Sequence, residues 1–115
     1  MTTPLKALRS HPESIQFADV IACIAQLYDY HPTRFTNGEV VNEAGKNEGS
    51  CKIFAFAQLQ GLGELDTLAL FGQYYRDDVL RNPSGSDHAN IRTFMQHGWK
   101  GVHFDGVALK PKAAL

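Results

Sequence analysis

The sequence predicts a mainly α fold: a compact single domain of about five helices with a small β-hairpin or irregular element. Three observations carry that prediction. Apolar residues recur at helical spacing through most of the chain. Proline, serine and aspartate stand where helices would start. The stretches between are short and rich in Gly and Asn, which suits turns better than long strands. The 115 residues fit one domain of ordinary size, spanning residues 1–115.

The elements follow in order. Thr3-Pro4 reads as an N-cap followed by proline at the first helical position, opening a short helix to about Ser10. His11-Pro12-Glu13 repeats the device and opens a second helix. It carries Phe17, Val20, Ile21, Ile24, Leu27 and Tyr28 at helical spacing, with Ala18, Ala22, Cys23 and Ala25 between them. Apolar nearly all round, it is the expected central buried helix, stopped by His31-Pro32. From Arg34 to Gly49 the helical pattern breaks down. Asn37-Gly38, flanked by Phe35-Thr36 and Val40-Val41, predicts a very short hairpin. A helix resumes at Ser50, an N-cap residue, and ends near Gly61, so Cys51 and Lys52 would be its first residues. Beyond Gly63, Leu65, Leu68, Phe71, Gly72, Tyr75 and Val79 predict one further helix with a close crossing at Gly72. Asn82-Pro83-Ser84-Gly85 ends it. Asp87 is expected to cap the last helix, which carries Ile91, Phe94 and Met95 and stops at Gly98. Trp99 to Leu109 reads as a hairpin or one strand, and Lys110 to Leu115 as a frayed tail.

A formal net charge of -1, from 11 basic and 12 acidic residues, argues against a broad nucleic-acid footprint. It gives no attraction to an anionic membrane either. Two cysteines, Cys23 and Cys51, are too few for a disulfide framework. Cys23, inside an apolar stretch, is expected to be a buried thiol in a reducing, cytoplasmic compartment. The apolar runs are far shorter than a membrane span, and Met1 to Ser10 lack the apolar core of a secretory signal. No cofactor motif is present. His11, His31, His88, His97 and His103 are scattered without partners at ligand spacing, so no metal site is expected.

Several longer motifs stand out. They are Phe35-Thr36-Asn37-Gly38, Asn42-Glu43-Ala44-Gly45 and Asn47-Glu48-Gly49-Ser50-Cys51-Lys52-Ile53-Phe54. Further on come Phe71-Gly72 with Tyr74-Tyr75-Arg76, then His88-Ala89-Asn90-Ile91-Arg92 with Phe94, and Gly98-Trp99. Together they resemble the HopJ type III effector family from about Phe17 to Leu109. The resemblance implies a small single-domain protein and export by a type III secretion system. It implies no set of catalytic residues.

Two kinds of chemistry suit the segment around Ser50. A cysteine in the first turn of a helix meets unpaired N–H groups and a partial positive charge, and Lys52 adds a cation; all three favour a thiolate. His88, flanked by Asp87 and Asn90, is the candidate base for a Cys51–His88 pair performing acyl transfer or hydrolysis. Alternatively, Gly49-Ser50-Cys51-Lys52 offers backbone N–H groups, a hydroxyl and an ammonium to an anion or small ligand. The candidate ligand-binding residues are Asn37, Asn47, Ser50, Lys52, Asn90 and Arg92. Capping alone would also account for Asp87-His88-Ala89-Asn90. Arg76, Asp77 and Arg92 suit exposed ion pairs, and Trp99 suits an anchor to the core. The leading expectation is a binding or interaction module for a small ligand or protein, with the cysteine-dependent enzyme as its rival.

Overall fold

A computed structural model describes residues 4–112. The chain opens with α1 (Pro4–Ser10), a single 3-10 turn (Pro12–Ser14), α2 (Phe17–Leu27) and β1 (Tyr28–Tyr30). A hairpin of β2 (Phe35–Asn37) and β3 (Val40–Asn42) leads to α3 (Glu48–Gln60) and α4 (Glu64–Ala69). A π-helical segment (Tyr74–Val79), α5 (Ala89–His97), a 3-10 turn (Gly98–Gly101), β4 (Val102–Phe104) and β5 (Leu109–Pro111) complete it. The expected mainly α domain with a small β element is what forms. Thr3, the expected first cap, lies outside the described residues.

The central helix is α3, not α2. Its polar residues sit at its ends, Glu48 to Ser50 and Gln58 to Gln60, so its middle is apolar on every side. Cys51 and Ile53 through Ala57 are all buried. A helix buried all round needs this pattern. In α2 only Val20 and Ile24 are fully buried, while Ala18, Ala22 and Ala25 face outward and Cys23 is half-buried. Alanine faces water at little cost, so counting it as apolar overstated the burial of this helix.

Tertiary contacts shortened three expected helices. Pro12 opens only one 3-10 turn, and the chain is extended at Ile15 and Gln16 before α2 begins. That extended piece is pinned by the far side of the fold. Arg76 Nη1 donates to Ile15 O at 2.6 Å and Phe17 N–H donates to Gln73 Oε1 at 3.1 Å. The expected helix through Gly72 breaks there, because Gly72 takes a φ of +63°. A Cβ at Gly72 would stand 2.6 Å from Phe17 N and 2.9 Å from Ile15 O. The predicted close approach is therefore present, but it is of backbone to backbone and it ends the helix. Further along, α2 stops at Leu27, and β1 intervenes before His31-Pro32.

The hairpin forms as predicted, displaced by one residue. Asn37 pairs with Val40 as the last strand residue, so Gly38 (φ +58°) and Glu39 make the turn. β4 then adds to the other side of β2, giving the antiparallel order β3-β2-β4. β5 pairs with β1 instead of with β4, so the expected terminal hairpin does not exist. Lys110 and Pro111, expected to fray, lie in that ladder opposite Asp29 and Tyr28.

Phe54 is the hub of the core. Its ring meets Phe35, Phe71, Phe94 and Trp99, with centroids 5.0–6.1 Å apart, within the range of favourable aromatic pairs. Trp99 anchors the last segment to the core as expected, and its Nε1 donates to Leu62 O at 3.0 Å.

Gly72→Ala forces a side chain into a left-handed conformation and against backbone. We expect it to cost about 1–3 kcal/mol, read as a lower thermal midpoint. An unchanged midpoint would show that the 15–17 and 72–76 segments do not meet as described.

Candidate functional site

The first turns of two helices face one cavity of about 350 Å³. From α3 come Asn47, Gly49 and Ser50, and from α5 come His88, Ala89, Asn90 and Ile91. Phe17, Phe71 and Tyr74 close the remaining side. Its volume lies at the small end of ligand pockets.

Each helix start has the same unusual geometry. Asn47 and His88, in the N-cap positions of α3 and α5, are the non-glycine residues with positive φ among those described, at 51° and 53°. Neither side chain caps its helix. The first ladder bonds are those of Cys51 N–H to Asn47 O and Arg92 N–H to His88 O. The N–H groups ahead of them are the ones a helix leaves unsatisfied, and the helix dipoles add positive potential there. The expected caps, Ser50 and Asp87, are displaced: α3 starts two residues before Ser50 and α5 two residues after Asp87.

A buried cluster of asparagines fixes both helix starts. Asn37 and Asn42 have no exposed surface and Asn90 is 6% exposed. Asn42 and Asn90 exchange amide hydrogen bonds, Asn90 Nδ2 to Asn42 Oδ1 at 2.8 Å and Asn42 Nδ2 to Asn90 Oδ1 at 3.2 Å. Asn37 Nδ2 donates to Asn90 O at 2.8 Å and to Asn90 Oδ1 at 3.1 Å. Asn47 Nδ2 donates to Asn42 Oδ1 at 2.6 Å. The hairpin thus holds α5 through Asn90 and α3 through Asn47.

On the opposite rim, the His88 ring stacks on Tyr74 at 5.1 Å, and its Nε2 lies 2.9 Å from Asp78 Oδ2. Arg92 is fully committed elsewhere. It pairs with Asp87 at 2.6 Å and donates to the carbonyls of Asp87, Asn82, Pro83 and Asp78. Its guanidinium holds the Asp87 carboxyl below the usual carboxylate range. Asp78, Asp87 and His88 bring ligand-type atoms within 4.8 Å of one another, a grouping the scattered histidines did not suggest. With Arg92 on Asp87 and His88 on Asp78, the group is closed on itself.

Cys51 is not at the mouth of its helix. It is the fourth residue of α3, 1% exposed, and its Sγ lies 3.7 Å from Thr33 O. Burial pushes the thiol up, and this outweighs the opposing effects of Tyr30, Thr33 and Lys52. The expected thiolate-favouring position is thereby corrected, because two extra residues at the helix start move Cys51 a full turn inward. His88 belongs to the cavity and Cys51 does not line it. Lys52 lies over the Tyr30 ring, 4.7 Å from its centroid, and likewise does not line the cavity.

The fold therefore gathers Asn47, Ser50, His88 and Asn90 around the cavity, with Asn37 behind them. Cys51, Lys52 and Arg92 serve other contacts. Asn42, Phe17 and Tyr74 were missed as site residues. The asparagines at 37, 42 and 47 recur every five residues, a signal that belongs to neither a strand nor a helix. Nothing local marks Phe17, since it reaches the cavity only through contacts made far along the chain.

The chain matches the family described as HopJ type III effector protein over residues 1–109. No curated protein matches it. Among solved structures it is similar to the crystal structure of the unknown-function protein VPA0580, at 51% identity and a TM-score of 0.92. That match covers 94% of this chain and 90% of the other. No helix among the described residues is long and apolar enough to cross a membrane.

Asn42→Ala strips partners from buried groups on Asn90 and Asn47 and should cost about 1–3 kcal/mol, seen as a lower urea midpoint. An unshifted midpoint would mean the amides are not buried as a unit. In the folded protein, Cys51 should react with iodoacetamide far more slowly at pH 8 than in denaturant. Its raised folded-state pKa contributes stability that is complete below the unfolded value, about 8.5. That contribution is lost as pH rises through the folded value. A fast reaction with a midpoint below the unfolded value would restore the nucleophile.

Proposed function

The chain belongs to the HopJ type III effector family, and on that premise we propose that it is a small-anion-binding module. One observation carries the reading: two helix starts, both without side-chain caps, face one cavity. Unsatisfied N–H groups and two helix dipoles favour a negative charge at that point. Ser50 adds a hydroxyl, and Asn47 and Asn90 add amides on the same wall. The family supports a further element of the proposal, export through a type III secretion system with the ligand engaged after delivery. The acyl-transfer alternative has less support, since Cys51 is buried against Thr33 and its thiol is pushed up.

The lining residues of this cavity include neither lysine nor arginine. Backbone N–H groups and His88 are then the sources of positive potential along the wall. That arrangement suits a single, dispersed negative charge and disfavours a polyanion, which needs cationic side chains. Lys52 and Arg92, candidates from the sequence, drop out of the proposed site. Asn47, Ser50 and Asn90 remain in it, with Asn37 as a support.

Titrating the ¹⁵N-labelled protein with acetate at low ionic strength tests the reading. We expect saturable shifts at the amides of Gly49, Ser50, Ala89 and Asn90. Ser50→Asp, which places a carboxylate on that wall of the cavity, should abolish them while leaving the rest of the spectrum in place. Non-saturating shifts scattered over the surface would overturn it.

A further inference from the structure

We propose that the ligand is an aryl carboxylate: a flat aromatic ring with the acid attached close to it. This rests on the anion-site reading above and adds what holds the rest of the ligand. The wall opposite the helix starts is aromatic. The ring of Phe17 lies 4.8 Å from that of Tyr74, and Tyr74 stacks on His88 at 5.1 Å with 27° between planes. All three are half-buried and line the cavity. Half-buried rings around a cavity retain apolar faces that a ligand ring can cover, and ring pairs add attraction beyond the area covered.

The spacing of the two walls sets the ligand's shape. Phe17 abuts the first turn of α3 directly, since a Cβ on Gly49 would stand 2.6 Å from its Cζ. Aromatic wall and N–H groups are therefore neighbours, with no room for a long linker between ring and acid. Phe17 is also held in place at its backbone by Gln73, with Ile15 tied to Arg76. The aromatic wall is thus built before any ligand arrives, which lowers the ordering cost of binding. The absence of lysine and arginine from the lining favours a carboxylate over a phosphate ester with two charges.

The test compares acetate, benzoate, cyclohexanecarboxylate and benzamide by the same amide shifts. Benzoate should bind at least ten-fold more tightly than acetate and several-fold more tightly than cyclohexanecarboxylate, which has the acid but no flat ring. Phe17→Leu should remove the benzoate advantage and leave acetate binding unchanged; Tyr74→Leu repeats the test from the other ring. If acetate binds and benzoate gains nothing, the aryl proposal is wrong and the anion site stands. If benzamide binds as well as benzoate, or if none of the four saturates, the anion site itself is wrong and the proposal falls with it.

Discussion

The amide pair between Asn42 and Asn90 is the contact on which the site depends. A buried amide without partners is costly, so the pair tolerates little displacement once formed. Asn42 ends the hairpin, and Asn90 sits in the first turn of α5. Their reciprocal bonds fix the distance between sheet and helix start. Asn47 then joins through Asn42 and sets the start of α3. Two helices far apart in sequence are aimed at one point because three side chains share hydrogen bonds in a place without water.

A second constraint builds the other wall. Gly72 brings its backbone against Ile15 and Phe17, and Arg76 and Gln73 tie that segment down. The cost is a broken helix: α4 ends at Ala69 and the chain resumes as a π-helical segment at Tyr74. π-helical turns are rare and are found often at functional sites. Here the turn presents Tyr74 to the cavity and Asp78 to His88. Arg92 secures the loop between this segment and α5 by taking its carbonyl oxygens, which leaves His88 with little freedom. Both walls are thus held by contacts made outside the cavity, and the lining residues are left free to meet a ligand.

Much of the fold was legible because local patterns carry it. The helical spacing of Ile53, Phe54 and Phe56, the Asn37-Gly38 turn signal and the Gly98 stop each follow from nearby residues. The motifs around Asn47 and His88 were likewise enough to place the chain in its family. What misled the reading was apolar count without size: the alanines of α2 made it look central, while the bulkier residues of α3 took the core. The start of α3 was misplaced by two residues because Ser50 is a better cap by type than Asn47. The left-handed backbone at Asn47 is held from outside the helix, by Asn42.

The sequence by itself determined the helical composition, the position of the hairpin, the family, and the importance of Asn47, Ser50, His88 and Asn90. Each of these is written in residue types within a few positions of one another. Only the tertiary structure decided that Cys51 is a core thiol, that the asparagines form one network, and that Phe17 and Tyr74 share a cavity with two helix starts. Those outcomes depend on which distant segments become neighbours. Such neighbours are chosen by the packing of Phe54 and its partners and by the satisfaction of buried amides, neither of which leaves a local periodic trace.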